Sequence, residues 1–142
     1  VVYLNGGDTK AALPVLQKAF TEEPAYNDAR ILYASGLYYA GDGKTGDSVL
    51  MEGFGTLLVD DQRLLQVYVN TKQFGRIVAI WKNRVAANPN DAQTHVGLAA
   101  AYFTAGDKTN AIVELQRAAQ LNPALGVQVQ SFITQIQNGT LK

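Results

Sequence analysis

The chain has 142 residues, enough for one ordinary domain, and its 47% apolar and 17% charged content places it with folded globular chains. Twelve basic and twelve acidic residues cancel, which argues against nucleic acid or an anionic membrane as partner. The absence of cysteine removes disulfides, zinc–thiolate sites and thiol nucleophiles. No apolar run approaches the roughly 18 residues of a spanning helix, so no membrane insertion by this segment is expected. The chain shows no signal peptide and begins at Val1, and it reads as part of something longer.

Spacing organises the sequence. Pro89 and Pro123 lie 34 residues apart and end similar phrases, AANP and QLNP. Pro24 lies one 31-residue and one 34-residue period before Pro89. In chain order, residues 1–26 form a half repeat. Tyr3 and Gly7 belong to its truncated start, and Ala12, Leu16 and Ala19 lie in a second helix interrupted by Pro14, which should cost stability or kink it. Residues 27–57 form a short repeat with Tyr33, Ala34 and Leu37 on one helix face, followed by the turn Gly41-Asp42. Five glycines fall between positions 41 and 55, and glycine in a helix costs about 1 kcal/mol relative to alanine. The expectation there is a short or irregular helix at 48–58 with Val49, Leu50, Phe54 and Leu57 inward.

Residues 58–91 carry Leu64, Leu65 and Tyr68, then Ile77, Trp81 and Arg84, with Lys72 where the other turns have glycine. Arg84 in place of a small residue predicts looser packing. Residues 92–123 carry Leu98, Ala99 and Tyr102, the turn Gly106-Asp107, then Ala111, Leu115 and Ala118. Gly106 suits a left-handed helix end, Asp107 suits a helix start, and Asn90 with Gln93 reads as a capping box. Residues 124–138 end the series with Leu125, Val129, Phe132, Ile133 and Ile136 on one face and glutamines largely off it, as a capping helix requires.

These residues resemble the tetratricopeptide repeat (TPR) family. The match is strongest over 58–123, and His95 departs from it by standing where a large apolar residue is common. The resemblance implies an all-α fold, a right-handed α-solenoid of antiparallel helix hairpins with a C-terminal cap, covering 1–142 as one domain. It implies a non-catalytic scaffold that binds a protein or peptide in a concave face. Family contact positions fall on Ser35, Tyr38, Tyr39, Gln62, Gln66, Val69, Asn70, Gln93, Val96, Ala100, Phe103 and Thr104. The subclass that grips chaperone C-terminal carboxylates needs Lys and Asn where Ile31 and Ser35 stand, and has a polar residue where Gly97 stands; only Arg63 fits. No such binding is therefore expected. Residues 59–123 are also similar to soluble TPR tails of bacterial O-antigen-ligase-like membrane proteins, which implies an envelope-facing domain whose ligase chemistry lies elsewhere.

Other motifs carry no chemistry. Gly43-Lys44-Thr45 lacks the glycine a phosphate loop needs, because Tyr38 stands there, and reads as a turn. His95, the single histidine, has only Asp91 at ligand spacing, and Asp91 suits a helix start; no metal site or cofactor is expected. No nucleophile motif is present, so catalysis is not expected. Asp60-Asp61 reads as helix-start charge, and Asn138-Gly139-Thr140 matches a glycosylation acceptor. A structural alternative is head-to-tail self-association, with the edge at Val1-Val2-Tyr3-Leu4 covered by a neighbour's helix at 125–136.

Overall fold

The computed structural model describes residues 9–142. They form α1 (Thr9–Glu22), α2 (Asn27–Tyr39), α3 (Gly43–Phe54), α4 (Gln62–Asn70), α5 (Phe74–Ala87), α6 (Ala92–Thr104), α7 (Lys108–Leu121) and α8 (Gly126–Asn138), with a 3-10 turn at Pro123–Leu125. No strand occurs among them, so the fold class is all-α. No described helix is long and apolar enough to cross a membrane. The chain divides into two compact units, one ending at Gln73 and the other spanning Phe74–Lys142.

The sequence period reappears in backbone hydrogen bonds. After α2, α4 and α6 the chain turns with one pattern, in which Asp42 N–H donates to Leu37 O, Gln73 N–H to Tyr68 O and Asp107 N–H to Tyr102 O. The residue before each donor is left-handed: Gly41 (φ 83°), Lys72 (φ 59°) and Gly106 (φ 84°). The turns at Pro24, Pro89 and Pro123 also share a bond, from the amides of Tyr26, Asp91 and Leu125 to the carbonyls of Glu23, Asn88 and Asn122.

In the first unit α2 packs against α1, α3 and α4. Its core holds Ala12, Leu16, Tyr33, Ala34, Leu37, Val49, Leu50, Leu64, Leu65 and Tyr68. In the second unit α6 packs against α5 and α7, and α7 against α8. Ala99, Ala111, Leu115, Val129, Ile133 and Ile136 form one buried cluster there. Val129, Ile133 and Ile136 of the apolar stripe of α8 are thus buried within its own unit, while Leu125 and Phe132 are partly buried. The edge at Val1-Val2-Tyr3-Leu4, and with it Tyr3 and Gly7, lies outside the described residues.

Several local expectations need correction. α3 starts at Gly43 and ends at Phe54, so it is earlier than the helix expected at 48–58. Asp42 accepts from the Thr45 amide and nucleates it there, while left-handed Gly55 stops it. Val49 and Leu50 are buried as expected, whereas Leu57 lies beyond the helix, partly buried. α4 begins only at Gln62, where Asp61 accepts from the Arg63 amide. α6 is capped by Asp91 rather than Asn90: its carboxylate accepts from the Gln93 amide and the Thr94 hydroxyl. Pro14 lies inside α1, where the sequence placed it. The Arg84 guanidinium lies over the Trp81 ring of its own helix, 4.3 Å from the ring centre.

Lys72 holds a conformation that suits glycine. Lys72→Gly is expected to raise stability by about 1 kcal/mol, and Gly106→Ala to lower it by about the same. Urea midpoints check both, and a destabilised Lys72→Gly variant would contradict the turn assignment.

Candidate functional site

The residues marked by the resemblance separate by burial. On α2, Ser35 and Tyr38 are only 2% and 5% exposed, so neither is open to a partner. The Ser35 hydroxyl donates to Ile31 O within its own helix (2.7 Å). Tyr38 turns inward between α3 and α4: its hydroxyl donates to Asp47 Oδ1 (2.6 Å), and its ring meets Tyr68 edge-on at 5.6 Å. Burial, then the Asp47 hydrogen bond, hold the Tyr38 phenol above its ordinary value. Both residues are therefore structural. The sequence signal for this was Gly46, which leaves room for the Tyr38 ring: a Cβ there would lie 3.1 Å from it.

The rest of the first unit's set remains at the surface. Gln62, Gln66, Val69 and Asn70 follow helical spacing along α4 and are exposed. Gln66 Nε2 donates to Asn70 Oδ1 (3.1 Å), and Asn70 Nδ2 donates to the half-buried Tyr39 hydroxyl (2.9 Å). This makes a fixed amide line with little charge.

Arg63 stands nearby but is already engaged. Its guanidinium donates to Asp28 and Asp61, each at 2.8 Å. Hydrogen bonding to Arg63 is the first cause holding both carboxyls below their usual value of 3.8. The same pair of carboxylates raises the arginine's own value.

On α6 the set gathers around a hollow. Val96, Ala100, Phe103 and Thr104 lie on one helical face, and all four line a cavity of about 230 Å³. Its other walls are Ala99, Leu115, Phe132, Ile136, Leu141 and Lys142. The walls are almost wholly apolar, with Thr104 and Lys142 the polar side chains among them. Gln93 is exposed on α6 but does not line the hollow. The sequence reading missed the walls from α8 and beyond, because Phe132 and Ile136 share a face with true core residues. Only the close packing of α8 on α7 shows that part of this face also borders open space.

His95 is structural as well. It is buried, with Nδ1 2.6 Å from Glu114 Oε2 and Nε2 2.9 Å from Pro89 O. It ties α6 to α7 and to the proline turn before it. No group of three or more His, Cys, Asp or Glu among the described residues is arranged to hold a metal. Lys44 and Thr45 lie in the first turn of α3, and Thr45 N–H is taken by Asp42. Asn138 is the last residue of α8, and left-handed Gly139 closes the helix.

No protein-family model matches the chain, and no curated protein matches it significantly.

Tyr38→Phe should lower stability by about 1–2 kcal/mol, because Asp47 loses a donor in a part-buried place. An unchanged urea midpoint would return Tyr38 to the list of surface residues.

Proposed function

We propose that this chain is a non-catalytic protein-interaction module of the TPR kind, which takes a protein or peptide on the partner-facing side of its first helices. The observation that carries this reading is the hollow in the second unit. Family positions assigned from sequence phase alone, Val96, Ala100, Phe103 and Thr104, all line it. Helix hairpins of this kind would present the first-helix face of α6 on their concave side. At about 230 Å³ the hollow is smaller than the roughly 300–1,000 Å³ of small-molecule sites. It suits one bulky apolar side chain as an anchor. The exposed line of Gln62, Gln66 and Asn70 supplies amides of the kind that hold a peptide backbone. The engagement of Arg63 by two carboxylates supports the expectation that acidic chaperone tails are not the partner.

Selection from a random peptide display library tests the reading. Enriched peptides should share a bulky apolar residue. Ala100→Arg fills the hollow and should weaken them about tenfold or more, whereas Val113→Arg, at an exposed position outside the hollow, should not. Failure to enrich any peptide, or equal loss in both variants, would count against it.

A further inference from the structure

The first unit carries a second recess, unrelated to the contact positions above. It has a volume of about 410 Å³ and lies between the later part of α1 and the start of α2. Leu16, Ala19, Ala29 and Leu32 give it aliphatic walls, and Glu22, Glu23, Tyr26, Asp28 and Arg63 complete its lining. The charges are not equivalent. Arg63 and Asp28 satisfy each other, and Tyr26 donates its hydroxyl to Asp28 (3.0 Å). Glu22 meets Lys18 only loosely, at 3.8 Å with both side chains largely exposed. Glu23 has no side-chain partner among the described residues. Two carboxylates thus stand over aliphatic walls with little to neutralise them.

The charge of the chain is divided in the same sense. Up to Gln73 there are six basic and nine acidic residues, a net of −3; from Phe74 on there are six and three, a net of +3. The neutral total hides an acidic first unit.

We propose that this recess receives a lysine or arginine side chain from a partner peptide. The methylene stem lies along Leu16, Ala19 and Leu32, and the cationic head meets Glu22 and Glu23. The Tyr26 ring, 55% exposed and held by its bond to Asp28, offers a face to the same cation. Glu22 and Glu23 are exposed at the rim of the aliphatic walls, where they attract a cation and repel an anion, and a long cationic side chain uses both walls and rim. The occupant is therefore a basic segment, and the proposal stands apart from the hollow on α6.

Fluorescence anisotropy with a labelled nonapeptide centred on one lysine tests it, with the acetyl-lysine peptide as the partner probe. Acetylation keeps the stem and removes the charge. The lysine peptide should bind the whole chain, weaken with added salt, and lose about fivefold in affinity on acetylation. Glu22→Gln with Glu23→Gln should cause a similar loss without changing the fold, and Ala19→Arg should block the recess from within. Ala100→Arg should leave this binding unchanged, which separates it from the α6 reading. Equal binding of both peptides, or indifference to the glutamine pair, would overturn the proposal. So would salt-sensitive self-association of the chain that the glutamine pair abolishes, since the occupant would then be a second copy.

Discussion

Two helix contacts of this protein, α2 with α3 and α5 with α6, depend on large side chains seated against glycines. Arg30 is the plainest case. It is 6% exposed, and its guanidinium donates to Val49 O (2.7 Å) and Pro24 O (2.8 Å) while lying 4.9 Å from the centre of the Phe20 ring. A buried cation is costly unless its donors are satisfied. Here the end of α1, the start of α2 and the middle of α3 share that task. The arrangement exists because Gly53 has no side chain: a Cβ there would lie 2.0 Å from Arg30 Nε. Phe20, stacked on Tyr33 at 5.3 Å, completes the seat.

The same device recurs in the other unit. Trp81 of α5 lies against Gly97 of α6, where a Cβ would come within 2.1 Å of the ring. Gly46 and Tyr38 repeat it more gently. Helix propensity sees only the cost of these glycines, about 1 kcal/mol each. Packing reverses that judgement, because each glycine admits a side chain that closes a helix–helix contact.

Much of the fold was legible in the sequence, for a physical reason. Turns obey local rules, so the spacing of Gly41, Lys72 and Gly106, and of Pro24, Pro89 and Pro123, located the helix ends. Core positions such as Leu98, Ala111 and Leu115 followed from helical spacing. The misses had two causes. The burial of Tyr38 depends on contacts across helices, to Asp47 and Tyr68, whereas the early start of α3 rests on the local Asp42 cap, which outweighs the cost of its glycines. On the candidate surface, α6 residues were found by phase, while the α8 walls of the hollow were not. The recess on α1 was invisible because a neutral total charge concealed the division between the units.

The same packing leaves the candidate surface residues fixed. Tyr38 and Ser35 are drawn into the core, and what remains outside is an amide line on α4 and an apolar hollow on α6. Surfaces held this way lose little freedom on binding. Urea denaturation of three alanine variants tests the central claim most directly. Gly53→Ala and Gly97→Ala should each lower stability by about 1–3 kcal/mol through overpacking. Gly75→Ala, in α5 with open space around it, should be neutral or stabilising by up to about 1 kcal/mol. If all three behave alike, or if Gly53→Ala and Gly97→Ala are as stable as the parent chain, glycine seating is not what holds these helices together.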